Sequence, residues 1–119
     1  SYRDRTLNAL RTVQLRAMQN TATASCHTLY ITSTLIAPPA PDTCIGGADA
    51  NNTDHLVVQI DTQRSDITFS ALDSNANIFT QISFDALGKS NQTCTTQCRI
   101  DVGLAGVCIS GEGLIYACP

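Results

Sequence analysis

The chain has 119 residues with 43% hydrophobic and only 5% aromatic content, which suffices for one domain with a modest core and excludes two. Its formal net charge is −3, and because four of its seven basic residues lie in the first sixteen positions, the rest of the chain is acidic. We therefore exclude nucleic acid as a partner, since no basic patch is expected on the body of the domain.

An amphipathic helix is predicted from about residue 6 to residue 23, because no Gly or Pro interrupts this stretch and helix-forming residues dominate it through Gln19. Six residues recur at spacings of three and four and share one predicted face: Leu7, Leu10, Gln14, Ala17, Met18 and Thr21. Arg11 and Arg16 fall outside this stripe. We expect the stripe to pack on a sheet.

Strands are predicted where apolar residues alternate with polar ones. Residues 27–36 show this alternation among Thr, Tyr and Ser and are predicted to form one strand. Three prolines within residues 38–41 end it, and a long loop is predicted to follow. Residues 56–60, 67–71 and 78–84 are predicted to form three strands of an antiparallel meander.

The carboxyl-terminal part is predicted to form a turn and a closing hairpin. Gly88 lies where a turn requires a residue that accepts a positive φ. Residues 99–102 alternate as a further strand, and Val107–Ile109 is expected to face Leu114–Tyr116 across Ser110–Gly113. The chain should therefore end in an antiparallel pair of strands.

One helix followed by six or seven strands over about residues 27–118 predicts an α+β fold. We expect a single soluble domain over residues 1–119, with the amino-terminal helix laid on antiparallel strands that divide into two layers. No run of about 18 apolar residues is present, so no membrane-spanning helix is predicted in this chain.

The six cysteines are the strongest chemical feature and favour disulfides in an oxidising compartment. A zinc site is less favoured, because only Cys94 and Cys98 have the close spacing of a zinc knuckle, and reactive thiols are a further alternative. Cys108 and Cys118 are expected to lie opposite one another in the closing hairpin. Of fifteen possible pairings, the preferred one is Cys26 with Cys44, Cys94 with Cys98, and Cys108 with Cys118.

No catalytic, metal or cofactor constellation is predicted, so we expect no enzyme activity. His27 and His55 each begin a predicted strand and are interpreted as edge or surface residues. Ser110 lacks the frame of a nucleophile elbow and is interpreted as a turn residue. Residues 49–54 carry alternating oxygen side chains but lack the glycine and glutamate of a calcium loop.

Two carboxyl-terminal segments carry recognisable motifs: Ile82–Lys89 reads ISFDALGK, and Val107–Ile115 reads VCISGEGLI. The first resembles the strand end, and the second the closing hairpin, of the GspH/FimT group of minor pilins and pseudopilins. Leu7–Asn20 is similar to the amphipathic helix that such proteins carry after their membrane helix. Within the group, the resemblance is greatest to minor pilins of the mannose-sensitive haemagglutinin (MSHA) type IV pilus.

The resemblance implies a protein that acts by packing against other subunits. Its partners would be major and minor pilins, the inner-membrane assembly platform and a prepilin peptidase, and it would reach the membrane only through a helix preceding Ser1. It would lie in the inner membrane with a periplasmic domain before assembly and in the extracellular pilus afterwards. The subunit interface is predicted to include four helix residues: Leu7, Arg11, Gln14 and Met18.

Other function classes remain open on the sequence alone. A type II secretion pseudopilin of the GspH kind would share the same motifs. A secreted adhesin or carbohydrate-binding module would use the proline-containing loop, although no Trp is present to stack on a sugar. A secreted disulfide-rich inhibitor would present the Cys26–Cys44 segment as a rigid loop.

Overall fold

The computed structural model describes residues 1–19, 27–38, 56–61, 63 and 66–119. It contains one helix and eight strands: α1 (Tyr2–Gln19), β1 (Thr28–Ile31), β2 (Leu35–Ala37), β3 (Val58–Gln59), β4 (Phe69–Leu72), β5 (Gln81–Ser83), β6 (Cys98–Val102), β7 (Ala105–Ile109) and β8 (Ile115–Ala117). The strands form two antiparallel sheets of four, in the orders β3-β2-β1-β5 and β4-β6-β7-β8. The predicted α+β class is confirmed, but the predicted count of six or seven strands is wrong for the described residues.

Helix α1 begins at Tyr2, four residues before the predicted start. In this first turn the Ser1 Oγ accepts a hydrogen bond from the Asp4 amide at 3.2 Å, and the Ser1 carbonyl accepts one from the Arg5 amide. Asp4 in the first turn also complements the positive end of the helix dipole. The predicted end near residue 23 lies outside the described residues.

The buried face of α1 differs from the predicted stripe. It consists of Thr6, Ala9, Leu10, Val13 and Ala17, so only two members of the predicted stripe are fully buried. Thr6 is tolerated inside because its hydroxyl donates to the Tyr2 carbonyl at 2.8 Å, which leaves no unsatisfied polar group. Met18 lies outside this face with half of its surface exposed, and Thr21 lies outside the described residues.

The predicted strand 27–36 is in fact a hairpin of two strands, β1 and β2. The connecting turn is built on Thr32, whose Oγ accepts hydrogen bonds from the amides of Thr34 and Leu35 at 3.3 and 3.0 Å. This turn contains no Gly, Pro, Asn or Asp, which is why the alternation of apolar residues appeared continuous. The predicted loop that follows lies largely outside the described residues.

The predicted meander of residues 56–84 is also wrong. β3 and β5 lie at opposite edges of the first sheet, whereas β4 lies at an edge of the second sheet. Between β3 and β5 the chain therefore crosses between the two sheets twice. The Phe69 amide donates to the Ser33 carbonyl at 2.8 Å, so the two sheets are hydrogen-bonded to each other at this crossing.

The predicted carboxyl-terminal hairpin is present as β7 and β8, but Val107–Ile109 faces Ile115–Ala117, one residue later than the predicted Leu114–Tyr116. Cys108 faces Tyr116 rather than Cys118, so the Cys108–Cys118 disulfide joins the strands diagonally, with 5.2 Å between the two Cα atoms. The predicted Cys94–Cys98 disulfide is also present. The predicted Cys26–Cys44 bridge lies outside the described residues.

The core lies between α1 and the inner faces of both sheets. Its largest fully buried side chains come from the helix and from strands of each sheet, with Leu10, Leu29, Ile36, Leu56, Ile82, Ile100 and Ile109 among them. Because aromatic residues contribute only Phe69, Phe79 and Phe84 to this core, aliphatic packing and the disulfides carry most of its stability.

Candidate interaction surface around Gln14

The turn after β5 and the turn between β7 and β8 meet beside α1. In the first turn, Asp85 Oδ1 accepts hydrogen bonds from the amides of Leu87 and Lys89 at 2.9 and 3.0 Å. Gly88 adopts the predicted positive φ of 83°. The second turn ends at Gly113, whose φ is 98°. Both turns are therefore built around glycines in the conformation that other residues rarely adopt.

Gln14 connects both turns to the helix. Its Nε2 donates to the Gly88 carbonyl at 2.8 Å and to the Gly113 carbonyl at 2.5 Å. The two turns are so close that a Cβ atom on Gly113 would collide with the Gly88 carbonyl. One amide group thus satisfies two acceptors from segments 25 residues apart in the chain (113 − 88), and it holds the two sheets against one helix.

Exposed apolar side chains surround this junction. Leu87 is 73% exposed, Leu114 is 63% exposed and Met18 is 50% exposed. Leu87 precedes Gly88 and Leu114 follows Gly113, while Met18 Sδ lies against Gly88, 3.0 Å from the position of a hypothetical Cβ. We call Arg11, Gln14, Met18, Leu87 and Leu114 the Gln14 surface. A cluster of exposed apolar side chains is typical of an interaction site.

Arg11 extends this surface to the edge of β8. Its Nε and Nη2 donate to the Ile115 carbonyl at 3.2 and 2.7 Å. In the β7–β8 ladder the Ser110 amide donates to the Leu114 carbonyl, and the Cys118 amide donates to the Gly106 carbonyl. Alternation along the strand therefore directs the backbone groups of Ile115 and Ala117 away from β7, toward the outer edge. Arg11 caps one of these groups.

The free edge of β5 is covered more completely. The Ser83 amide donates to Asn91 Oδ1 at 2.9 Å, and the Ser83 carbonyl accepts from the Asn91 amide at 2.9 Å. The Gln81 carbonyl accepts from Gln92 Nε2 at 2.9 Å. Because these groups already have partners, another strand cannot add to β5 without displacing them. Asn91 matches a glycosylation sequon, but its side-chain oxygen is engaged in this contact.

The four predicted interface residues lie on one flank of α1 but differ in their contacts. Leu7 is partly buried against the core. Arg11 and Gln14 form the hydrogen bonds to the β7–β8 hairpin, and Met18 is exposed. Their role in a subunit interface stays a prediction. Sequence reasoning missed Leu87 and Leu114, although an apolar residue next to a turn glycine was a usable signal.

The remaining polar candidates that the structure describes form no metal site. Among the described residues, no group of three or more His, Cys, Asp or Glu side chains could hold a metal ion. His27 is partly exposed, but its Nε2 is buried and has no hydrogen-bond partner in the described part of the chain. His55 lies outside that part. Ser110 is a turn residue as predicted, because its Oγ accepts from the Leu114 amide.

Within the described ranges, none of the helical structure is both long and apolar enough for a membrane span. No protein-family model, curated protein or solved structure matches the chain.

Proposed function

We propose that this chain is the globular domain of a minor type IV pilin of the GspH/FimT kind, similar to the MshC-like minor pilins of the MSHA pilus. The observation that carries the proposal is the junction at Gln14. The two segments that resemble the family's motifs, Ile82–Lys89 and Val107–Ile115, form neighbouring turns, and the helix that resembles the family's helix joins them by two hydrogen bonds.

The proposed protein primes pilus assembly and sits at or near the fibre tip, where it could contribute to surface attachment. It acts through packing rather than chemistry. On this proposal the Gln14 surface contacts a neighbouring pilin, since Met18, Leu87 and Leu114 expose apolar area next to a rigid, hydrogen-bonded turn. The two disulfides of the second sheet would keep the domain folded outside the cell.

The proposed partners are other major and minor pilins and the inner-membrane assembly platform, with a prepilin peptidase acting on the precursor. The proposed location is the inner membrane, with the domain in the periplasm, and then the extracellular fibre. Methylation of the processed amino terminus would accompany that route. A leader ending in Gly and followed by an apolar helix, encoded directly upstream of Ser1, would be expected.

A deletion strain complemented with variants tests this proposal. We expect deletion to abolish surface pili, the natural gene to restore them, and the double variant Leu87→Asp with Leu114→Asp to fail while the protein still accumulates. The matched control is Leu104→Asp, because Leu104 is 106% exposed and lies in the β6–β7 turn, away from the Gln14 surface. Electron microscopy of the cell surface measures the outcome.

The other outcomes point to other functions. Normal pili in the deletion strain together with defective protein export would identify a type II secretion pseudopilin. Normal pili with defective attachment would favour a secreted adhesin or binding module. Equal complementation by the double variant and the control would remove the Gln14 surface from the proposed mechanism.

A further inference from the structure

The outer edge of β8 has the backbone pattern of a strand that can accept another strand. Among the described residues β8 pairs only with β7, and Ala117 is exposed. The amide and carbonyl of Ala117 point outward, whereas the outward carbonyl of Ile115 accepts from Arg11. In the described part of the chain, β5 lacks this pattern because Asn91 and Gln92 bond to its outward groups.

On the free side of β3, the Gln59 amide lies between Val57 and Asp61, each of which already has a backbone group in a hydrogen bond. The Val57 carbonyl accepts from Arg5 Nη2 at 3.2 Å, and the Asp61 amide donates to the Tyr2 hydroxyl at 3.0 Å. The edge of β4 is engaged at Phe69 by Ser33 and at Ala71 by the Phe79 amide. Of the described edges, β8 therefore offers the best opportunity for strand addition.

We propose that two copies of this chain pair through the outer edges of β8, antiparallel and centred on Ala117. In this register the Ala117 amide of each copy donates to the Ala117 carbonyl of the other. The Ile115 amide of each copy donates to the Pro119 carbonyl of the other. A two-fold axis at the Ala117 pair therefore places the outward amides of each copy opposite carbonyls of the other. Two-fold symmetry is the commonest symmetry of protein dimers.

Arg11 selects this register. Pro119 has no amide hydrogen, so it cannot donate to the Ile115 carbonyl that faces it in the second copy. That carbonyl already accepts two hydrogen bonds from Arg11 and needs no further donor. A register shifted to centre on Tyr116 would instead direct the Ala117 amide of one copy at the carbonyl that Arg11 occupies in the other.

Sedimentation velocity of the purified chain over a range of concentrations tests the inference. We expect a reversible dimer, and we expect Ala117→Pro to raise its dissociation constant at least about tenfold, because both central hydrogen bonds are lost. The Ala117 amide faces away from β7, so proline removes no hydrogen bond from the fold. Ala117→Lys provides a second variant that keeps the amide but places a charge at the edge. Leu104→Asp is the control for non-specific apolar association.

Amide hydrogen exchange supplies an independent measurement on the unmodified protein. The Ala117 amide should become protected as concentration rises, while the Leu104 amide in the β6–β7 turn should not. A monomer at millimolar concentration would overturn the inference, as would a dimer that both Ala117 variants leave intact. This inference does not depend on the proposed pilin function. The sedimentation and exchange experiments test the dimer alone, and their result does not change how the pilus experiment is interpreted.

Discussion

The edges of β5 and β8 show two ways of ending a sheet. At β5, Asn91 and Gln92 bond to three outward backbone groups through a loop that continues from the strand's own turn. At β8, one long side chain from the helix bonds to one outward carbonyl. Local polar residues can cover most of an edge because they follow it in the chain, whereas the side chain of a distant residue bonds only to the backbone group nearest to it.

The comparison also separates two kinds of junction at Gln14. On the β5 side the turn is held by its own Asp85, which bonds to two amides. On the β8 side, Ser110 Oγ accepts from one amide, that of Leu114, and Gly113 lies against the Gly88 carbonyl. We therefore expect the turn on the β8 side to be the more sensitive to substitution. Four predictions, in order of decreasing effect, test this expectation and the comparison of the two edges.

Gly113→Ala should cause the largest loss of stability, about 3 kcal/mol in the free energy of unfolding. Its φ of 98° strains any other residue, and the added Cβ would collide with the backbone of Gly88. Urea denaturation followed by circular dichroism measures the loss. The control is Gly103→Ala, where φ is also positive but the nearest atom belongs to the Ile67 side chain, 3.3 Å away, and not to backbone. If the control loses as much stability, backbone strain alone is responsible and the close approach is not.

Gln14→Leu should lower the free energy of unfolding by about 2 kcal/mol, because it leaves two carbonyls without their donor. Gln14→Glu has nearly the same shape but no amide donor, so it should be at least as unstable as Gln14→Leu. Gln19→Leu, on an exposed position of the same helix, should change stability by less than about 0.5 kcal/mol. A stable Gln14→Glu variant would contradict the assignment of the two hydrogen bonds.

The sequence was most informative where chemistry is local. The positive φ of Gly88, the β7–β8 hairpin and the disulfides of Cys94–Cys98 and Cys108–Cys118 were all predicted. Each depends on residues close in the chain, so turn preference and cysteine spacing determine it. The register of the hairpin was predicted less well, because the disulfide is diagonal and equal spacing from the turn did not identify the facing pair.

The sequence was least informative where pairing is distant. Alternation of apolar residues is the same in both sheets, so it could not show that β4 leaves the sheet of its chain neighbours β3 and β5. The buried face of α1 was mispredicted because Thr6 is buried while Met18 is not. A threonine that hydrogen-bonds within its own helix can be buried, and hydropathy alone does not detect this.

The candidate surface could be predicted only in part. Arg11, Gln14 and Met18 were selected by their positions on the helix, but the sequence did not show that Arg11 and Gln14 bond within the chain. Leu87 and Leu114 were not selected, because they join the surface only when the two turns meet. Leu87 and Leu114 come close because the neighbouring glycine carbonyls, of Gly88 and Gly113, accept from the same Gln14 amide. This arrangement exists only in the folded chain.

Asn91→Ala should lower the free energy of unfolding by about 1 kcal/mol, because the Ser83 amide loses its acceptor. Asn91→Asp keeps a side-chain oxygen in the same place and should retain most of the stability. Thermal denaturation of the three proteins compares them directly. Equal losses in both variants would mean that the Asn91 amide group, rather than its oxygen, stabilises the β5 edge.

Arg11→Met should have the smallest effect, a loss of about 0.5 kcal/mol, because the residue is exposed and water can replace its donors at the Ile115 carbonyl. Arg11→Lys can supply one donor and should lie between the natural protein and Arg11→Met. Urea denaturation measures these differences, and their size relative to the Asn91 series tests the opening comparison. Because local polar residues cover β5 and one distant arginine covers part of β8, the Asn91→Ala loss should be the larger of the two. A larger loss for Arg11→Met would mean that the helix, and not the strand's own loop, provides the stronger edge contact.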